Sequence, residues 1–203
     1  MTGGSLKSNF SGQRPEAGCD EAGRGCLIGP VFAAAVILPD AFDCPLLNDS
    51  KKLSPARREE LRCQIEQQAV AWAVAQVSHH EIDRINILQA SIKAMHLALD
   101  QLVVVPAFVI VDGNRFKPWR DVKHQCHVKG DGLWMSIAAA SILAKTHRDA
   151  WVDQVADQYP QYNWAGNKGY ATQAHIDALT RYGPTPLHRT TFHLKRQISL
   201  DFG

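Results

Sequence analysis

The chain has 203 residues, a formal net charge of +2 and an isoelectric point near 8.3. Hydrophobic residues make up 45% and charged residues 21% of it, which is typical of one globular domain with a substantial core and argues against intrinsic disorder. No apolar run reaches the length of a membrane span. The small net charge neither requires nor excludes a nucleic-acid partner, because a local basic face matters more than the total.

Strands and helices follow from the hydrophobic pattern, taken in chain order. Strands are predicted over residues 16–20, 31–38, 71–77, 107–111 and 125–129. A helix is predicted from Pro55 to about Gln68, because Ser54 is a favourable N-cap and proline suits the first helical position. Further helical regions are predicted over residues 79–102, 136–158 and 172–182. This order predicts an α/β domain around a mixed sheet.

The two ends of the chain differ from this central region. Residues 1–15 lack an apolar signal core and are predicted to be a short disordered lead. Residues 16–192 are predicted to form the domain, and residues 193–203 a basic tail. The five cysteines are odd in number and form no Cys-x-x-Cys pair, which favours reduced thiols in a cytoplasmic protein and argues against a zinc site.

Acidic residues recur where predicted strands end. Asp20 and Glu21 close the first strand, Asp112 follows the fourth and Asp131 follows the fifth. In open α/β sheets, ligands bind at strand ends near a topological switch. Each acid alone is also compatible with an ordinary turn, and Asp112 before a glycine with a hairpin turn in particular.

Taken together, the four acids indicate a metal site. Converging carboxylates repel one another unless cations neutralise them. Oxygen ligands of this kind suit Mg²⁺ or Mn²⁺. Two such ions can activate water and stabilise the leaving oxygen in a phosphoryl displacement. The acids therefore predict metal-dependent phosphodiester cleavage.

The glycine-rich stretch after the acidic pair has the spacing Gly23-x-Gly25-x-x-x-Gly29. This differs from the dinucleotide-binding fingerprint, and an acidic pair directly before it would repel a pyrophosphate. Glycines also allow a close approach of the backbone to a ligand such as a sugar. The stretch therefore favours a contact with a sugar over a nucleotide cradle.

At this point the motifs resemble, in order, those of bacterial ribonuclease HII, the type 2 ribonuclease H. The opening block is Asp20–Gly25 followed by Gly29–Val31, and Asp49–Lys51 resembles the second block. The later blocks are Val111–Gly113, Lys129–Asp131, Ser136–Lys145, Arg148-Asp149, Lys168–Tyr170, His175, His188-Arg189 and Phe192. The combination is far more specific than any one piece.

The resemblance implies a ribonuclease H-like fold, with a mixed central sheet flanked by helices and a C-terminal helical extension within the catalytic domain. The implied activity is hydrolysis of RNA in RNA–DNA hybrids and incision 5′ to single ribonucleotides in duplex DNA, leaving 3′-hydroxyl and 5′-phosphate ends. Two Mg²⁺ or Mn²⁺ ions would serve this chemistry. We further expect a cytoplasmic monomer.

The resemblance also assigns roles by position. The catalytic metal ligands would be Asp20, Glu21, Asp112 and Asp131, and the substrate contacts Gly23, Arg24, Gly25, Ser50, Lys51 and Tyr170. Telling RNA from DNA requires contact with the 2′-hydroxyl, which a glycine backbone can approach closely. A tyrosine ring can pack on the next deoxyribose while its hydroxyl reaches the 2′-oxygen.

Other basic residues leave two interpretations open. Lys51 with Lys52 either contacts phosphates or forms a solvated helix entrance. His188 and Arg189 lie in a basic stretch that either holds backbone phosphates or is a solvated tail.

The last residues resemble the short peptide that docks bacterial repair proteins on the sliding clamp. Its anchors would be Gln197, Leu200 and Phe202, placed in a preformed pocket. Alternatively, the two apolar side chains pack back on the domain.

Two other functions remain to be weighed. A type 3 ribonuclease H usually adds an N-terminal substrate-binding domain, for which about 16 residues leave no room, and it lacks the Gly-Arg-Gly element. A non-catalytic metal or nucleic-acid-binding module of the same fold would not need all four acids.

Overall fold

The computed structural model describes residues 6–47 and 53–192 of the chain. The strands within these ranges are β1 (Glu16–Ala22), β2 (Val31–Ile37), β3 (Ala71–Val77), β4 (Phe108–Asp112) and β5 (Lys123–His127). They form one sheet in the order β3-β2-β1-β4-β5, in which β1, β4 and β5 run parallel and β2 runs antiparallel to both of its neighbours.

The helices in the same ranges are α1 (Pro55–Gln68), α2 (His79–Ile85), α3 (Ile87–Asp100), α4 (Met135–Ala156), α5 (Trp164–Asn167) and α6 (Gln173–Tyr182). Together with the sheet they confirm the predicted α/β fold with a mixed central sheet flanked by helices. The helix α1 begins as predicted, because the Ser54 hydroxyl accepts a hydrogen bond from the Arg57 backbone and Pro55 opens the first turn.

Two boundaries differ from the prediction for local reasons. The region after Ser78 is two helices, because Asn86 adopts a positive φ of 67° and its side chain caps α3 by accepting from the Leu88 and Gln89 backbones. The strand β5 ends at His127 rather than Lys129. Lys129 has a φ of 58°, which turns the chain into a short 3-10 helix at Gly130–Gly132.

The two faces of the sheet are covered by different helices. Along β1, Ala17 and Cys19 pack in one core with α3, whereas α4 packs with β2 residues of the opposite parity, such as Ala34. The contact between β1 and α4 is especially close. A Cβ at Gly18 would lie 2.2 Å from the backbone carbon of Ser136, so this position of β1 admits only glycine.

The C-terminal part adds a third core cluster beyond the end of β1. It joins Ile28 to Val152 of α4 and to Tyr162 and Trp164. A buried polar network runs through it, in which the Trp164 indole donates to His175 over 3.1 Å and His175 and His188 meet over 3.2 Å. The contacts of Ile28 attach the helical extension to the segment that follows β1, the strand that carries the acidic pair.

The described part of the predicted N-terminal lead contacts the domain. Lys7 exchanges backbone hydrogen bonds with Leu133 and Met135, each of 2.9 Å, and the Phe10 backbone donates to Glu16 over 3.0 Å. The Phe10 ring lies 5.3 Å from that of Trp134. Trp134, although it follows Asp131 closely in sequence, therefore packs against this segment.

Two further findings concern the helices and the cysteines. None of the helices in the described ranges is long and apolar enough to cross a membrane. All five cysteines are free thiols, of which Cys19, Cys26 and Cys44 are buried.

Candidate active site

The four predicted acids lie at one edge of the sheet. Asp20 and Glu21 lie near the end of β1, and Asp112 is the last residue of β4, the parallel neighbour of β1. Asp131 lies in the 3-10 helix that follows β5. Because β1, β4 and β5 are adjacent and parallel, their carboxyl ends meet at the same edge. The hairpin interpretation of Asp112-Gly113 is wrong, because β4 and β5 run parallel.

Asp20 is the most buried acid of the pair, with 5% of its surface exposed. Its carboxylate accepts hydrogen bonds from the Glu21 backbone over 2.7 Å and from the Ser141 hydroxyl of α4. Burial raises the pKa of Asp20 well above its usual value, and the negative charges of Glu21 and Asp112 raise it further. Glu21 and Asp112 are therefore both close enough to repel the Asp20 carboxylate.

Asp112 and Asp131 are tied together by the backbone between them. The Gly130 amide donates to Asp112 Oδ1 over 2.7 Å, and Asp131, 4% exposed, is the next residue. This bond positions the Asp112 carboxylate and brings the 3-10 helix up to the end of β4. The two acids thus share one local structure although 18 residues separate Asp112 from Gly130.

The four acids have the donor chemistry of a divalent metal site but are not arranged around one. Across residues 6–47 and 53–192, no group of three or more His, Cys, Asp or Glu side chains is arranged so that it could hold one. The donor chemistry does fit, because Asp20 is a buried carboxylate destabilised by two neighbouring negative charges, and oxygen donors of this type suit hard divalent cations. A bound cation would relieve this repulsion.

In the turn after β1, next to the acidic pair, Arg24 and Gly25 are exposed whereas Gly23 is buried. Gly23 has a φ of 92°, which a side chain would disfavour. Gly25 has no such conformation, and a Cβ there would meet nothing within 4 Å. The fold therefore gives no reason for glycine at position 25. Arg24 is exposed and its guanidinium pairs with Glu21 over 3.0 Å.

Tyr170 lies next to this turn because Cys26, directly after Gly25, forms an isolated antiparallel bridge with it. The turn that carries Tyr170 is built by Asn167, which accepts from the Gly169 backbone and donates to the Tyr162 carbonyl. The tyrosine ring is 39% exposed. Burial of the hydroxyl raises its pKa to about 12, so it remains a hydrogen-bond donor at neutral pH.

A buried arginine packs against both the turn after β1 and Tyr170. Arg148 of α4 is 1% exposed, and its guanidinium carbon lies 5.6 Å from the Tyr170 ring centroid. Its nearest carboxylate is that of Asp149, at 3.5 Å, and none of its guanidinium nitrogens has a hydrogen-bond partner among the described residues. Arg148 also lies 3.3 Å from where a Cβ of Gly23 would be. Arg148 therefore supports the turn at Gly23 and the Tyr170 ring from their buried side.

The structure corrects both interpretations of His188 and Arg189. Neither residue is a solvated tail or a free phosphate contact, because they are 6% and 3% exposed. The Arg189 guanidinium donates to the carbonyls of Gly29, Arg24 and Pro30. His188 Nδ1 accepts a hydrogen bond from the Thr185 amide, and His188 Nε2 lies within hydrogen-bond distance of His175 Nε2. Burial, and then the neighbouring His175, lower the pKa of His188 to about 4.

Several predicted residues cannot be placed. Ser50 and Lys51, together with Lys52, lie outside the described residues, and so do Gln197, Leu200 and Phe202. Conversely, roles for Ser141, Arg148 and Arg189 as supports were not predicted. In the sequence they are a serine in an Ala-rich helix and two arginines, and no local pattern shows that these arginines point inward.

A family profile described as Ribonuclease HII matches residues 17–195 of the chain. The chain is 57% identical over 190 residues to ribonuclease HII of Parabacteroides distasonis, covering 93% of this chain and 96% of that protein. It is 56% identical over 189 residues to ribonuclease HII of Bacteroides thetaiotaomicron, covering 92% and 94%.

Solved structures of similar fold include ribonuclease H2 of Pyrococcus horikoshii, with a TM-score of 0.72 and 26% identity over 88% of this chain and 93% of that chain. A second is the structure of the PCNA:RNase HII complex from Archaeoglobus fulgidus, with a TM-score of 0.71 and 27% identity over 92% and 98%. Bst-RNase HIII in complex with Mn²⁺ has a TM-score of 0.67 at 17% identity over 95% and 75%, which shows a shared fold alone.

Proposed function

The chain belongs to the ribonuclease HII family and is a ribonuclease H, and from this premise we propose that it incises duplex DNA 5′ to a single embedded ribonucleotide and hydrolyses RNA in RNA–DNA hybrids. The products carry 3′-hydroxyl and 5′-phosphate ends. It acts as a cytoplasmic monomer. The observation that carries the proposal is the Cys26–Tyr170 bridge, because it holds a tyrosine and an open glycine turn beside the acids at the end of β1.

The four acids Asp20, Glu21, Asp112 and Asp131 would hold two Mg²⁺ or Mn²⁺ ions. When bound, such ions supply charge that activates water and stabilises the leaving oxygen. The chain's own residues orient the ligands: the Ser141 hydroxyl and the Glu21 amide direct the Asp20 carboxylate, and the Gly130 amide directs that of Asp112. These bonds fix the acids before the substrate arrives.

Recognition of the ribonucleotide falls to the turn and to Tyr170. The backbone at Gly23, Arg24 and Gly25 approaches the ribose, since Gly25 leaves open space where a side chain would stand. The Tyr170 ring packs on the next deoxyribose and its protonated hydroxyl donates to the 2′-oxygen. Ser50 and Lys51 would contact the backbone phosphates.

A docking partner is part of the proposal. The C-terminal residues Gln197, Leu200 and Phe202 would anchor the chain to the sliding clamp. The support is the sequence pattern, together with a relative whose structure is a complex with PCNA.

The decisive experiment is incision of a labelled DNA duplex with one ribonucleotide, with an all-DNA duplex as control and with Mg²⁺, Mn²⁺ or chelator. We expect metal-dependent cutting only at the 5′ side of the ribonucleotide, and loss of cutting in Asp112→Asn with duplex binding retained. Cutting of continuous hybrids without cutting at a single ribonucleotide would reject the recognition role assigned to Gly25 and Tyr170. No metal-dependent cutting of either substrate by folded protein would favour a non-catalytic binding module.

A further inference from the structure

A groove leads away from the acids along the side of the sheet that α3 covers. Its first part is a pocket of about 160 Å³ that Glu21, Arg24 and Asp112 line together with Ser91 of α3. Its second part, of about 510 Å³, continues past Phe116 and Lys117. The two parts share Leu88, Ile92, Asn114 and Arg115. We call this continuous surface the α3 groove.

Two basic side chains of the α3 groove form no ion pair within the described part of the protein. Arg115 and Lys117 are exposed and make no ion pair with any residue that the structure describes. By contrast, nearby Arg84 and Lys93 both pair with Glu81, at 2.7 and 2.8 Å.

Ser91 provides a second, independent observation. It is 2% exposed, and its hydroxyl has no hydrogen-bond partner among the described residues although it lines the pocket beside the acids. A buried hydroxyl without a partner is costly, and a ligand oxygen in the pocket would satisfy it. Two free cations and an unsatisfied hydroxyl point to an anionic, oxygen-rich ligand, as a sugar–phosphate backbone is.

The groove and the tyrosine lie on opposite sides of the acids. Tyr170 lies over Lys145 and Arg148 of α4, whereas the groove is walled by α3, which packs on the other face of the sheet. Under the proposed function, Tyr170 contacts the deoxyribose on the 3′ side of the ribonucleotide. The part of the strand on the 5′ side of the cut must then leave on the α3 side.

We infer that the α3 groove binds the sugar–phosphate backbone of the cleaved strand on the 5′ side of the cut, with Arg115 and Lys117 as its phosphate contacts and Ser91 as a hydrogen-bond donor close to the acids. This rests on the proposed function, since the direction of the strand is set by the position of Tyr170. The groove therefore adds affinity for substrate upstream of the ribonucleotide.

The test compares two duplexes with one ribonucleotide and the same full-length complementary strand. In one, the cleaved strand extends far to the 5′ side. In the other it begins one nucleotide before the cut, so that it offers Arg115 and Lys117 no phosphate upstream of the scissile one. For Arg115→Ala/Lys117→Ala, we expect KM on the long substrate to rise about tenfold and the slope of log affinity against log salt to fall by about two. On the short substrate KM should stay near the wild-type value.

Lys123→Ala is the matched control, because Lys123 is exposed, lacks an ion pair in the described structure and does not line the groove. It should leave both substrates unchanged. An equal rise in the KM of the double variant on both substrates would overturn the inference. It would instead show that Arg115 and Lys117 contact the complementary strand. An unchanged KM on the long substrate would overturn it as well.

Failure of the proposed function is separable from failure of this inference. If the wild-type protein does not incise either duplex, the proposed function fails. Fluorescence anisotropy of the same duplexes in chelator then measures the affinity of each protein for DNA without cleavage. A weaker affinity of the double variant for the long duplex alone supports the groove, and identical affinities of both proteins reject it.

Discussion

The guanidinium of Arg189 donates a hydrogen bond to the carbonyl oxygen of Arg24 over 3.0 Å, across 165 residues of sequence. The same group donates to the carbonyls of Gly29 and Pro30, so three backbone oxygens of the turn after β1 depend on one side chain. Burial lowers the pKa of Arg189 to about 10, and it remains charged at neutral pH. The C-terminal segment thereby sets the shape of the turn that would meet the ribose.

The first prediction concerns this contact. Arg189→Lys keeps the charge but cannot donate in three fixed directions. We expect the free energy of unfolding to fall by about 1–3 kcal/mol, since buried carbonyls lose their donors. Incision of the single-ribonucleotide duplex should fall further than duplex binding. Chemical denaturation and steady-state kinetics measure both, with the exposed Arg181→Lys as control; wild-type kinetics in Arg189→Lys would contradict the role.

The second prediction separates ligand contact from folding at position 25. Gly25→Ala should leave the melting temperature unchanged, because a Cβ there meets nothing and the backbone is not in the left-handed region. Single-ribonucleotide incision should nevertheless fall by on the order of a hundredfold, since a displaced ribose is misaligned with the acids. Thermal melting and kcat/KM are the measurements. A variant with normal kinetics would show that the glycine does not approach the sugar.

The third prediction concerns the repulsion at Asp20. Without a cation, an ionised Asp20 is destabilised by burial and by Glu21 and Asp112. Asp20→Asn removes one charge while its amide oxygen can still accept from the Glu21 backbone and Ser141. We expect this variant to melt at a higher temperature than the wild-type protein in chelator, and to lose turnover.

Added Mg²⁺ or Mn²⁺ should raise the melting temperature of the wild-type protein, because a ligand that binds the folded state stabilises it. The same addition should have little effect on Asp20→Asn. An equal rise in both proteins would place the cation elsewhere.

The fourth prediction is a loss of stability in mild acid through the buried histidine pair. Because the Trp164 indole donates to His175 Nε2, that nitrogen is unprotonated and His188 Nε2–H donates to it. The network therefore requires both rings neutral. The pKa of His188 is about 4 in the folded state and 6.5 ordinarily. The stability it contributes is complete above pH 6.5 and is lost as the pH falls from there toward 4.

The loss should approach about 3 kcal/mol by pH 4, from the difference between these two pKa values. Urea unfolding across this range measures it, with His188→Gln as the comparison because glutamine does not titrate. If the wild-type protein and the variant show the same slope of unfolding free energy against pH, the histidine pair is not responsible.

The sequence predicted the parts of the fold that local patterns determine. The apolar run of β2 and the Ser54-Pro55 start of α1 are such cases. The break at Asn86 was missed because the region around it has a continuous helical pattern of apolar residues, and one capping asparagine with a positive φ decides the boundary.

The part of the candidate site that could be predicted consists of the residues at the ends of strands. Asp20, Asp112 and Asp131 became visible as a group because parallel strands bring their ends to one edge. Arg189 could not be predicted in its actual place, because its burial depends on a long-range contact with Arg24. A basic stretch in sequence does not reveal which of its members turn inward.

The last prediction concerns the C-terminal peptide. Removing residues 197–203 should abolish binding to the sliding clamp, because the apolar anchors Leu200 and Phe202 are lost. Incision of a short duplex should remain at the wild-type rate, because Arg189 and His188, whose contacts the structure describes, are retained in the truncated protein. Leu200→Ala/Phe202→Ala is the matched variant in full-length protein. Retained clamp binding in both would reject the peptide as the anchor, and lost incision in both would instead show that it packs on the domain.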